Sequence, residues 1–178
     1  MTVGSPGHLR PLERCELELV RGWRNHDDVR KHMYQQHVIG RDEHVQWFER
    51  ACTDKNKHLL VFDIGMVPTG FVNLTVRDSR ARRADWGFYL APDAPRGTGA
   101  LLGRAALRHV FDVLELHKLC GEAIAYNDRS IRFHERMGFQ RESILREQYF
   151  DGGTYHDVIG FGLLKSEWEE ERRKNEHA

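Results

Sequence analysis

Two stretches of the chain hold residue types that can do chemistry. The first is Tyr89-Leu90-Ala91-Pro92-Asp93-Ala94-Pro95-Arg96-Gly97-Thr98-Gly99-Ala100-Leu101-Leu102-Gly103. It reads as a strand end, a loop with two prolines, a Gly-x-Gly turn, and an apolar helix opened by Thr98 or Gly99. A helix N-terminus offers free N–H groups and a favourable dipole to an anion, and glycine lets a ligand come close to the backbone. The order of strand, glycine loop and helix start suggests a pyrophosphate cradle, with a plain tight turn as the alternative. No Lys-Ser/Thr follows the glycines, and Leu102 stands where a dinucleotide fingerprint needs its third glycine. The second stretch is Asn127-Asp128-Arg129-Ser130-Ile131-Arg132-Phe133-His134-Glu135-Arg136-Met137-Gly138-Phe139. At 3.6 residues per turn, Asn127, Ser130 and His134 share one face. Asn127 can cap the helix, and His134 can exchange a proton near neutral pH. Its alternative is a capped helix with a histidine beside a core edge made by Phe133 and Met137.

Composition limits what surrounds these stretches. The chain has 178 residues, enough for one domain with a real core. Lys+Arg and Asp+Glu are both 27, which argues against electrostatic nucleic-acid binding. Cys15, Cys52 and Cys120 are scattered and odd in number, so a zinc site or disulfide framework is not expected and a reducing cytoplasm fits. No metal is implied, because the histidines lack ligand spacing. Met1 to Leu9 has no apolar signal-peptide core, and no apolar run approaches a membrane span. The charged tail from Glu169 to Glu176 is expected to fray.

The elements that must position the two stretches follow from hydrophobic period. Leu12 to Asn25 has helical spacing at Leu12, Cys15, Leu19 and Trp23, and Asp27 to Tyr34 forms a short helical piece. Asp42 caps a helix from Glu43 to about Cys52, with Val45, Phe48 and Cys52 inward. Strands are expected at His58–Ile64, Phe71–Arg77 and Arg83–Leu90, an antiparallel meander, with a turn at 65–70. A helix from Thr98 to about Leu114 leads to a strand, Lys118–Ala125. The strand–helix–strand unit is a parallel crossover. A helix to Met137, ended by Gly138, precedes a hairpin of Phe139–Phe150 and Thr154–Leu164 around Asp151-Gly152-Gly153. Glu122 lies on the alternating strand among Cys120 and Ile124, a polar residue with apolar neighbours; a rim carboxylate is its plain reading.

Together, the glycine loop opening a long helix and the later Asn-x-x-Ser-Ile-Arg-Phe-His-Glu-x-x-Gly-Phe resemble the Gcn5-related N-acetyltransferases, over about Leu12 to Trp168. The resemblance implies an α/β fold of one domain: a mixed, mostly antiparallel sheet, splayed in the middle, with helices on both faces. It implies acetyl-CoA as co-substrate, with its pyrophosphate on Arg96, Gly97, Thr98, Gly99 and Ala100. Backbone groups of Phe88 and Leu90 would pair with the pantetheine arm, and Asn127 and Ser130 would help hold CoA. Ala94 stands where the family carries a basic or amide side chain; Arg96 would replace it. His134 stands where the family often has a tyrosine acid, so it is read as the proton donor to the departing thiolate, with a sulfur contact or a structural role as alternatives. Glu122 is read as a catalytic site carboxylate that holds the acceptor amine or relays its proton through water.

Asp85–Pro95, Leu116–Glu122, Phe161–Trp168 and the run Trp23-Arg24-Asn25-His26 … His32-Met33-Tyr34 resemble that family's sugar-nucleotide branch. Its members acetylate the 4-amine of UDP-4-amino-4,6-dideoxy-N-acetyl-β-L-altrosamine on the route to pseudaminic acid. On that reading Arg24 meets the diphosphate, Tyr34 and Trp47 stack on uracil with His44 beside them, and Met33 forms an adaptable wall. Their plain reading is a core tryptophan, a solvent-edge histidine and a helix-capping arginine. A ribosomal-protein N-terminus or a polyamine is the alternative acceptor, and a non-catalytic acyl-CoA-binding module the alternative class. A homodimer is left open.

Overall fold

The computed structural model describes residues 7–176. Met1–Pro6, where most of the expected non-signal N-terminus lies, fall outside the described residues. Seven strands hydrogen-bond in the order β1-β2-β3-β4-β5-β7-β6. They are β1 His8–Pro11, β2 Lys57–Ile64, β3 Val67–Asp78, β4 Arg83–Leu90, β5 Lys118–Ile124, β6 Gln140–Phe150 and β7 Tyr155–Leu164. The β1/β2, β2/β3, β5/β7 and β6/β7 pairs are antiparallel and β4/β5 is parallel. The expected mixed, mostly antiparallel α/β fold is therefore present. The chain divides into two compact units, Met1–Thr75 with Trp86–Ala106, and Val76–Asp85 with Leu107–Ala178.

In the first unit the helices are α1 Leu17–Asn25, α2 Asp27–Arg30 and α3 Arg41–Thr53, and α4 Thr98–Arg108 begins. A 3-10 turn, Arg14–Glu16, precedes α1, and the Glu16 carboxylate accepts the Glu13 N–H at 3.0 Å. That turn resets the phase of the helix. Leu17, Val20 and Trp23 are inward, whereas Cys15 is exposed and Leu19 is 44% exposed. They pack with Leu12, Phe48, Val61, Phe71 and Ala91, each large side chain contributing roughly 1.5–3 kcal/mol by burial. On α3, His44, Phe48 and Ala51 are inward and Cys52 is exposed, a rotation from the expected face. Glu43 accepts the Gly40 N–H at 3.3 Å, so Gly40 caps the helix and it starts two residues before the expected Asp42 cap would place it. Strand β1, absent from the sequence reading, pairs with β2. The turn at 65–70 shrinks to Gly65-Met66, whose φ values of 57° and 68° suit a two-residue hairpin.

In the second unit, β4 and β5 pair in parallel from Arg83↔Lys118 to Asp85↔Cys120. Strand β7 lies between β5 and β6, so β5 pairs with β7 from Lys118↔Leu164 to Ile124↔Val158. A π-helical turn, His109–Val113, ends the α4 segment, and α5 Asp128–Arg136 follows β5. Gly138 closes α5 at φ 89°, a conformation that suits glycine. The Asp151 carboxylate ties the hairpin by accepting the Gly153 and Thr154 N–H groups at 2.8 Å each, and it meets His156 at 2.7 Å. These bonds hold its carboxyl at about 2. The tail expected to fray is helix α6, Lys165–Glu176. Trp168 is buried and stacks on Phe111, while Arg172 lies 4.8 Å over the Trp168 ring and reaches Asp112 at 3.2 Å. The Trp168 ring and the Arg172–Asp112 pair tie this strongly charged helix to the π-helical turn.

Candidate active site

The expected anion loop sits in the first unit. Gly97 has φ 90° and open space where a side chain would stand. Glycine is needed there for backbone conformation, not because the loop is crowded. Helix α4 starts at Thr98. The Gly97 carbonyl accepts the Ala100 N–H at 3.1 Å and the Leu101 N–H at 3.4 Å, and Thr98 N–H bonds to Pro95 at 3.2 Å. Arg96 is exposed, and Gly99 and Ala100 are half-buried in the first helical turn. Ala94 packs against the hydrophobic core, which explains an alanine where a basic side chain was expected. Thr98 is only 1% exposed and its Oγ1 has no hydrogen-bond partner. An open glycine beside a helix start and an exposed arginine fit a CoA pyrophosphate.

Gly70 sets how this loop is carried, and the sequence reading missed it. A Cβ there would lie 2.6 Å from Leu102 Cδ1, 3.2 Å from Leu90 Cδ2 and 3.3 Å from the Tyr89 carbonyl. Its absence lets β3, the end of β4 and α4 pack closely. Phe88 and Leu90 are half-buried, and the Phe88 ring lies 4.6 Å from Trp86.

The expected acceptor residues also belong to the first unit. Arg24 is half-buried; its Nη2 donates to the Gln35 carbonyl at 2.6 Å, while its Nη1 is buried without a hydrogen-bond partner. Burial pushes its pKa down, and the nearby Tyr89 hydroxyl opposes that shift. Tyr89, whose hydroxyl is pushed up by burial, is a member of this group that the sequence reading missed. The segment facing Arg24 is held by Asn25, which exchanges bonds with Ile39 at 2.9 and 2.8 Å. His44 is 4% exposed, not at a solvent edge, and stacks on Trp47 at 4.9 Å and 19°. Burial lowers its pKa, which favours the neutral ring, and Nδ1 has no hydrogen-bond partner. Trp47 also meets Phe71 edge-on at 6.1 Å, so part of its ring belongs to the core. Met33 is half-buried and Tyr34 is 49% exposed.

The second unit holds the other set. Asn127 caps α5, its Oδ1 accepting the Ser130 N–H at 3.1 Å. His134 does not present a ring to solvent: it is 2% exposed, stacked on Phe161 at 4.7 Å and 10°, and edge-on to Phe139 and Phe133. Its Nδ1 is 2.8 Å from the Ser130 carbonyl. A carbonyl can only accept, so Nδ1 carries the proton and, in the neutral ring, Nε2 carries none. Burial lowers the His134 pKa more than this bond raises it. With Nδ1 as the donor in the neutral ring, the net downward shift weighs against a protonated Nε2. Glu122 is exposed on β5 and pairs with Gly160 of β7. Cys120, on the same face, is half-buried, and burial pushes its thiol up. Among the described residues, no group of three or more His, Cys, Asp or Glu side chains could hold a metal, and no helix is long and apolar enough to cross a membrane.

Comparison with known proteins gives this arrangement its relatives. Residues 8–140 match the model of the acetyltransferase (GNAT) domain. The chain is 26% identical over 162 residues to spermidine N(1)-acetyltransferase of Vibrio cholerae, covering 90% of this chain and 94% of that one. It is 28% identical over 133 residues to acetyltransferase PseH of Campylobacter jejuni, covering 72% of this chain and 79% of that one. The crystal structure of the Vibrio cholerae enzyme with CoA and spermine superposes with a TM-score of 0.85 at 25% identity, covering 92% of this chain and 98% of that one. The chain belongs to the GNAT acetyltransferase family and is an N-acetyltransferase that takes its acetyl group from acetyl-CoA.

Proposed function

We propose that this enzyme acetylates a primary amine of a polyamine. The observation that carries the reading is the extent of the likeness: sequence and backbone follow a spermidine acetyltransferase along nine-tenths of the chain. The sugar-nucleotide branch expected from the sequence is represented by PseH, over a shorter stretch.

The chemistry is attack of the amine nitrogen on the thioester carbonyl. A C–N bond forms, the oxyanion collapses and the C–S bond breaks. An alkylamine is protonated near neutral pH, with a pKa of about 10, so a base must take its proton. Exposed Glu122 is our candidate, directly or through one water. The Gly97–Ala100 backbone and Arg96 would hold the pyrophosphate, and Phe88 and Leu90 the pantetheine arm. Asn127, already engaged as the cap of α5, would place the helix. His134 is assigned to holding α5 against Phe161, and the departing thiolate takes its proton from solvent. A thiol with a pKa of about 8.5 readily recovers a proton near neutrality.

One observation favours a second acceptor class. The buried, unbonded Arg24 Nη1 is a donor suited to an anionic or carbonyl-bearing substrate. A polycation would not seek it. Initial rates with spermidine, spermine and a UDP-4-amino-4,6-dideoxy sugar separate the two. Acetylation of the sugar nucleotide alone would overturn the polyamine reading. In that case Arg24→Ala should raise KM for the sugar nucleotide and leave KM for acetyl-CoA nearly unchanged.

A further inference from the structure

The outer hairpin of the second unit's sheet, β6 with β7, exposes three large apolar side chains on one face. Ile144 is 61% exposed, Phe150 50% and Tyr155 61%. Ile144 pairs with Ile159, and Phe150 with Tyr155. Residues paired across antiparallel strands point to the same face, and alternate residues of one strand share it. Ile144 and Ile159 therefore form one end of a row, Phe150 and Tyr155 the other, with Asp157 between them. The Phe150 and Tyr155 rings meet at 4.7 Å. Exposed apolar side chains gathered in one place, with polar neighbours, mark a surface built for contact.

A charged centre separates the two apolar ends. The register shifts between Leu145 and Tyr149, so residues 146–148 stand opposite Asp157 alone. A bulge of this kind re-aims side chains. Glu147 has φ 52°, and its N–H donates to the Asp157 carboxylate at 2.9 Å. The bulge leaves a hollow of about 360 Å³ lined by Arg146, Glu147 and Asp157. Neither Arg146 nor Glu147 forms an ion pair with another described residue. Strand β6 is also the edge of the sheet. Charges on an edge strand ordinarily keep copies apart. Here the two unpaired charges are adjacent and opposite in sign, so two copies running in opposite directions set unlike charges against each other.

We propose that this face of the hairpin binds the same face of a second copy of the chain, about a two-fold axis through the hollow. A two-fold contact is reciprocal: what one residue meets on the other copy, its counterpart meets in return. Arg146 of each copy enters the hollow of the other and lies against Glu147 and Asp157. The same rotation brings Ile144 of each copy to the Phe150–Tyr155 pair of the other. The order apolar, charged, apolar is its own complement under that rotation, and this symmetry selects a second copy over an unrelated partner. Aromatic and arginine side chains are the types that anchor such contacts. One hairpin a side makes a small interface, so the dimer is expected to be micromolar.

Sedimentation of the full-length protein over about 1–100 µM reads the dissociation constant of so small an interface. Wild type should pass from monomer to dimer in that range. Arg146→Glu and Glu147→Arg each oppose like charges at two symmetry-related contacts, and each should weaken the dimer at least about tenfold. The double variant Arg146→Glu/Glu147→Arg sets unlike charges together again and should bind at least about threefold more tightly than either single variant. Tyr155→Ser, at an exposed position that folding tolerates, should weaken the dimer about tenfold or more. Amide exchange in residues 144–150 should slow as the protein is concentrated. A chain that stays monomeric throughout would overturn the proposal. So would a dimer whose constant none of these substitutions moves, because the contact then lies elsewhere, and so would a double variant as weak as the single ones.

Discussion

Replacing His134 by phenylalanine separates a proton donor from a packing residue. Phenylalanine keeps a flat ring for the 4.7 Å stack on Phe161 and the edge contacts with Phe139 and Phe133. It loses the 2.8 Å bond to the Ser130 carbonyl, worth about 0.5–1.5 kcal/mol. In a chain of this length each kcal/mol moves Tm by about 2–4 °C, so His134→Phe should melt a few degrees lower. His134→Ala also removes the ring from a buried site. By analogy with aromatic truncations it should cost about 3–5 kcal/mol, or roughly 6–20 °C. The activity expectation follows from burial and from the proton on Nδ1: kcat of His134→Phe should stay within a few-fold of wild type. A general acid is typically worth about 10²–10⁴-fold. The linked pH effect has a definite sign. Burial depresses the folded-state pKa of His134 below its unfolded value of about 6.5. Its stabilising contribution is therefore complete above that pH and is lost as pH falls toward the lower folded value. His134→Phe should remove this part of the acid-side loss of stability, measured by thermal melts between about pH 7 and pH 5. His44 and His58, lowered by burial in the same way, leave a residual slope. A folded His134→Phe enzyme with unchanged CoA affinity and a kcat reduced a hundredfold would refute the reasoning from burial and restore the acid role.

Two further substitutions probe the loop and its support. Gly97→Val places a branched side chain at φ 90°, a left-handed conformation that costs an L-residue at least about 1–2 kcal/mol; calorimetry should show acetyl-CoA affinity falling sharply, and unchanged affinity in a folded variant would remove the loop from the CoA site. Gly70→Ala pushes a methyl against Leu102, Leu90 and the Tyr89 carbonyl; overpacking of this kind costs about 1–3 kcal/mol, and a Tm equal to wild type would show that α4 gives way without strain.

What could be read from the sequence was local. Strand Arg83–Leu90 was legible to the residue because alternation and bounding turns act within one segment. The cap at Asn127 and the hairpin turn at Asp151 were legible because a short polar side chain bonds backbone a few residues away. Membership of the acetyltransferase family was legible for a similar reason, since its loop and helix motifs lie in two short stretches. Tertiary structure decided which of two apolar helical spacings in Leu12–Asn25 turned inward. Both satisfy the period, and only the packing partners Phe48, Val61 and Phe71 select Leu17 and Val20 over Cys15 and Leu19. It also decided the direction of His134. A position on the same helix face as Asn127 says nothing of an aromatic wall contributed by Phe161, a residue 27 positions later and on another strand. The glycines of β7 look like weak points in a strand until β5 and β6 stand on either side of them. Their meaning lies in the side chains of residues 142 and 143 that cross above them, and pairing between strands this far apart in sequence is settled only when the whole sheet forms.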